Sequence, residues 1–186
     1  MSTAYERESR IPDGDFRKLG LVNWLIAKIA ARVLRVSQMH LFTTLGQHKR
    51  LFRAWLLLRA MLYVGALPLL DAELVVLRVA RLRGCEYELQ QHGRFAERRG
   101  LDAGMQAQIF GWPDSDQFSP RQQALLTATD EFVERRTISP DTWAALSQHL
   151  HRRQLIEFCM LAGQYDALAA VISSLQIPSD FPKGQR

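Results

Sequence analysis

Residues 73–92 read ELVVLRVARLRGCEYELQQH, and this stretch decides the fold. Gly84 breaks it into two helices, the second opening at or near Cys85. On that second helix Cys85 and Glu88 stand three residues apart and Glu88 and His92 four apart, so all three share one face over about two turns. Glu73 falls in the first turn of the preceding helix, and antiparallel packing of the pair returns it to the same face. A thiol, two carboxylates and an imidazole form a set that can move protons, with the thiol as a candidate nucleophile.

Outward from this core the apolar spacing stays helical almost throughout, and no run alternates as a half-buried strand does. The pattern predicts helices over about 19–36, 48–64, 72–83, 85–99, 103–110 and 151–175, with Asp71 as the cap of the third and Gly100 closing the fourth. Ser119-Pro120 with Gln122 spells a capping box, and Ser139-Pro140 opens another helix in the same way. The chain therefore reads as one all-α domain over residues 41–178. An N-terminal arm and amphipathic helix (residues 1–40) precede it, and a short tail (179–186) follows.

The 186 residues are 47% hydrophobic and 23% charged, ordinary for a globular protein. Two cysteines cannot build a disulfide scaffold, and the polar N-terminus carries no leader signature, so a reducing cytoplasm is the expected setting. The net charge of +5 is mild and the arginines read as spread along the chain, which argues against nucleic-acid binding. Residues 54–70 are too short and too interrupted to span a membrane. Residues 19–36, with Lys28, Arg32 and Arg35, form a basic amphipathic helix, for which packing on protein is the expected use rather than a membrane.

The order Glu73, twelve residues to Cys85, three to Glu88 and four to His92 resembles the core of the alkylhydroperoxidase D and carboxymuconolactone decarboxylase superfamily. The flanks LPLLDAELVVLRVARLRG (67–84), EYELQQHGRFAERRGL (86–101) and IEFCMLAGQYDALA (156–169) agree. The resemblance implies an all-α alkylhydroperoxidase D-like domain that assembles as a trimer or hexamer. It also implies that Glu73, Cys85, Glu88 and His92 are catalytic, and that Tyr165 and Gln164 contact a small-molecule substrate. In the family's peroxidases a Cys-x-x-Cys pair does the work and its second cysteine attacks the peroxide. Here Cys85 matches the first cysteine, and Glu88 stands where the second belongs. A carboxylate cannot become a sulfenic acid, so that mechanism does not transfer intact.

Each residue also has a plainer reading. Glu73 suits the positive end of its helix without any chemistry. Glu88 and His92 could be an exposed pair worth about 0.3–0.5 kcal/mol. Cys85 could be a small residue at a tight helix junction, although the helix N-terminus with Arg81 and Arg83 favours a thiolate. Cys159 sits in an apolar helix, where cysteine usually packs as a small hydrophobe. His149 and His151 are two apart and point away from each other on a helix, and no clustered ligand set predicts a metal. No phosphate loop or dinucleotide fingerprint predicts an organic cofactor either.

Three functions follow. The first is cofactor-independent acid/base chemistry on a small organic acid, covering decarboxylation, isomerisation and lactone opening. The second is a thiol hydroperoxidase working through Cys85 with an external thiol reductant. The third is a non-catalytic oligomeric redox or ligand sensor.

Overall fold

The computed structural model describes residues 9–115 and 117–181. The first eight residues of the expected arm and the last five of the tail lie outside them. Among the described residues the chain is all α, with nine helices and no strand. They are α1 (Phe16–Leu34), α2 (His40–Leu45), α3 (Lys49–Tyr63), α4 (Leu69–Leu82), α5 (Glu86–Glu97), α6 (Ala103–Gly111), α7 (Pro120–Arg135), α8 (Pro140–His149) and α9 (Arg152–Leu175). The described residues fall into two compact units, one of residues 9–59 with 171–181 and one of residues 60–170.

The second unit is organised around α4, in which every residue from Glu73 to Ala80 is buried. A helix apolar on nearly all sides must be enclosed, and α5, α6 and α7 pack on it. Leu74, Leu77, Leu125, Leu126, Leu146 and Phe158 form the solid part of that core. Three charged residues on α4 are also buried, and each has an opposite charge facing it. Asp71 meets Arg121 at 2.7 Å, Arg78 grips Asp130 with two nitrogens at 2.6 and 2.8 Å, and Glu73 is held at the site described below. Pairing is what makes buried charge tolerable.

The start of α4 differs from the sequence expectation. The helix opens at Leu69 after Pro68, and Asp71 lies in its first turn instead of capping it. Its carboxylate is taken by Arg121, while Glu157 of α9 accepts the preceding backbone N–H groups of Ala66 and Leu67. Glu73 is consequently in the second turn, so dipole complementarity accounts for Asp71 and not for Glu73. The helix ends as the sequence predicts: Gly84 takes a left-handed φ of +59°, and Cys85 N–H returns to Ala80 O at 2.9 Å. The two serine caps form, and at Ser119 both halves of the capping box are present. His149 closes α8 and His151 precedes α9, so they do not share a helix.

α9 is long and apolar enough to cross a membrane by length and composition alone. Within the second unit its Phe158, Leu161, Ala162 and Tyr165 are core residues.

In the first unit, α1 turns Leu19, Asn23, Ala27 and Ala31 inward. Asn23 Nδ2 donates to Gly46 O at 2.9 Å, tying α1 to the turn after α2. Phe52 and Trp55 stack, and Phe42 meets both rings edge-on. His40 N donates to Asp180 at 2.7 Å, and Asp13 accepts from the His40 ring and Thr43. The six-residue α2 escapes a periodicity reading because four of its residues are buried and no side chain caps it.

Candidate functional site

Cys85 caps α5, and the tight Gly84 turn places it there directly from the end of α4. One and two turns on, Glu88 and His92 are buried on the same helix, at 2% and 4% exposure. Their spacing sets them on the side of α5 that meets α4, and α4 supplies the fourth residue. His92 Nδ1 donates to Glu73 Oε2 at 2.8 Å, between two side chains that solvent hardly reaches. Fixing Nδ1 as the donor leaves Nε2 as the ring atom for proton exchange.

The other Glu73 oxygen, Oε1, accepts from Arg99 just beyond the end of α5. Arg99 also donates to the Tyr63 hydroxyl and lies 4.8 Å over the Tyr63 ring. Burial works against the guanidinium charge, but the Tyr63 and Glu73 contacts outweigh it and hold the group above its usual range. Tyr63, Arg99, Glu73 and His92 thus form one chain of polar contacts. The last aromatic member is Tyr165 of α9, whose ring meets the His92 ring edge-on at 4.9 Å.

Tyr165 is placed by its neighbour. Asp166 is 8% exposed and accepts from both Arg83 and Arg136. Arg83, next to the Gly84 turn, also donates to Val133 O at 2.7 Å. That knot fastens the Cys85 turn to the helix that carries Tyr165. Gln164, one residue earlier and therefore turned about 100° around α9, makes no hydrogen bond to this set among the described residues.

The thiol departs from expectation. Burial, then the Glu88 charge beside it, push Cys85 up to about 12. The helix N-terminus and the arginines do not produce a thiolate, because Arg83 is committed to Asp166 and Arg81 lies over the Phe110 ring. Cys159 is half-buried, and burial pushes its thiol up as well.

Sequence reasoning missed Arg99 and Tyr63. Arg99 carries a faint signal, since it follows His92 by seven residues and so falls on the same side of the helix line. Tyr63 carries none, because only the packing of α3 brings it near.

Residues 49–131 match the Carboxymuconolactone decarboxylase family profile. No curated protein sequence matches the chain. Among solved structures it is similar to the alkylhydroperoxidase D core of a peroxidase-related protein from Ralstonia eutropha JMP134 (TM-score 0.77, 18% identity, 92% of each chain covered). It is similar too to a peroxidase-related protein from Silicibacter sp. TM1040 (TM-score 0.77, 15% identity, 95% of each chain). A third is the debrominase Bmp8, a cysteine-to-alanine variant in complex with 2,3,4-tribromopyrrole (TM-score 0.75, 13% identity, covering 92% of this chain and 93% of that one). At these identities the likeness concerns the fold.

Proposed function

We propose that this chain, which belongs to the carboxymuconolactone decarboxylase and alkylhydroperoxidase D-like superfamily, transfers protons on a small organic acid without a cofactor. The observation that carries the reading is the buried Glu73–His92 hydrogen bond at 2.8 Å. A carboxylate on Nδ1 fixes the tautomer and steadies an imidazolium as it forms, which suits His92 Nε2 to take and return a proton. Arg99 balances the Glu73 charge, and Glu88 shares proton movement with His92. Cys85, kept as a neutral thiol, lines the substrate space with Tyr165.

On a carboxylated lactone the sequence of bonds is simple. The carbon–carboxyl bond breaks, CO2 leaves, and its electron pair is held by conjugation with the lactone carbonyl. His92 Nε2 then supplies one proton to carbon and regains one from water. Isomerisation proceeds without loss of CO2: His92 Nε2 takes a proton from one carbon of the conjugated system and returns it to another.

A hydroperoxidase reading needs a thiolate, and a thiol pushed up to about 12 is almost wholly protonated at neutral pH. We further propose a cytoplasmic setting and the assembly of copies, the assembly supported by the exposed Met61 (63%) and Val64 (83%) of the second unit. The test is to follow CO2 release from carboxylated γ-lactones beside consumption of an organic hydroperoxide. Turnover of a lactone acid that survives Cys85→Ser supports the proposal. Hydroperoxide turnover that Cys85→Ser abolishes overturns it.

A further inference from the structure

Between Phe16 and Leu70 the sequence holds nine lysines and arginines and not one aspartate or glutamate. Of 24 basic and 19 acidic residues in the chain, the remainder therefore keeps 15 basic against 19 acidic, a net −4. The basic residues look evenly spread when counted alone. The acidic ones are not, and their absence makes this segment strongly cationic.

Helix α1 lies within that segment and buries a narrow stripe of Asn23, Ala27 and Ala31. Leu25, Ile29 and Val33 each follow one of those residues by two positions, about 200° around the helix. They stand on the opposite side and are 43%, 62% and 62% exposed, with Leu21 and Val22 (59% and 52%) extending the row. From Leu21 to Val33 this ridge runs about 18 Å. Lys28, Arg32 and Arg35 line one flank, all of them exposed. On α3, Lys49, Arg50 and Arg53 are exposed too.

A nucleic acid would answer the charges and leave the ridge in water. A second copy would cover the ridge but bring an identical cationic flank to a helix with no acid to meet it. An anionic bilayer surface answers both features at once. We propose that α1 is a docking helix for anionic phospholipid membranes: Leu21, Leu25, Ile29 and Val33 enter the acyl boundary while Lys28, Arg32 and Arg35 meet headgroup phosphates. The proposal is independent of the chemistry assigned to Glu73 and His92.

Co-sedimentation of the full chain with mixed phosphatidylserine–phosphatidylcholine vesicles, and with pure phosphatidylcholine vesicles, tests it. The protein is expected to bind the first, be released by salt, and ignore the second. Leu25→Ser with Ile29→Ser, and separately Lys28→Glu with Arg32→Glu, should each weaken binding by about tenfold or more. These side chains are exposed, so helix content and solution mass should not change. Three results overturn the proposal: no binding to anionic vesicles; undiminished binding of the Leu25/Ile29 variant, meaning charge alone acts; or a fall in its solution mass, meaning a second copy covers the ridge.

Discussion

Glu73 and His92 are nineteen residues apart in sequence and share a 2.8 Å hydrogen bond in which both side chains are almost fully buried. Arg99 accompanies the couple on the second carboxylate oxygen. Glu73→Gln keeps the size of the side chain and removes the charge that Arg99 and His92 both face. Turnover should fall by about 10²–10⁴-fold, the usual loss when general acid/base catalysis fails. Leaving the half-buried Arg99 without its carboxylate partner should also cost stability, on the order of 1 kcal/mol, since solvent and Tyr63 still reach the guanidinium. Steady-state kinetics and urea denaturation check the two effects separately.

The state of Cys85 has two consequences. A buried thiol pushed up to about 12 should react slowly with iodoacetamide at neutral pH, more slowly than a free cysteine and equally slowly with peroxide. It also makes stability depend on alkaline pH. The unfolded thiol loses its proton near 9.0 and the folded one keeps it to about 12, so the unfolded state binds fewer protons in between. Stability therefore falls as pH rises through that window, and below it this group contributes no pH dependence. In Cys85→Ala the alkaline decline should be shallower, as denaturation midpoints across the window will show.

Tyr63 acts through Arg99 and not on the substrate. Tyr63→Phe removes the hydroxyl that Arg99 donates to but keeps the ring 4.8 Å beneath the guanidinium. The expected result is a decrease in kcat of less than about tenfold with KM unchanged. Arg99→Gln should lower kcat further, and Arg99→Lys should recover part of it by restoring the charge.

Arg78 and Asp130 offer a structural contrast, since a buried guanidinium and a half-buried carboxylate are paired but lie apart from the Glu73–His92 couple. Arg78 also donates to Ile109 O at 3.1 Å. Asp130→Ala should destabilise the fold by about 3–5 kcal/mol by leaving that guanidinium uncompensated. The surviving folded protein should turn over normally, which separates this pair from the site.

How much of this was legible in the sequence depends on range. The Gly84 break, the Ser119 and Ser139 caps and the common face of Cys85, Glu88 and His92 are local matters of spacing and turn chemistry, and the sequence states them. The three-residue shift at the start of α4 was hidden because Asp71 is claimed by Arg121, fifty residues away. The thiolate expected at Cys85 fails for the same kind of reason: Asp166, eighty-three residues beyond Arg83, takes the arginine that would have favoured it. Arg99 and Tyr63 join the site through packing alone. Local physics places the chemistry on helices, and distant partners set its ionisation.

The most direct test of proton transfer by Glu73 and His92 is deuterium uptake from D2O into a panel of carboxylated γ-lactones, followed by NMR at the carbon beside the carbonyl. Wild type and Cys85→Ser should both exchange, and Glu73→Gln should be slower by about 10²-fold or more. Exchange that persists unchanged in Glu73→Gln, or that disappears in Cys85→Ser, would contradict the account.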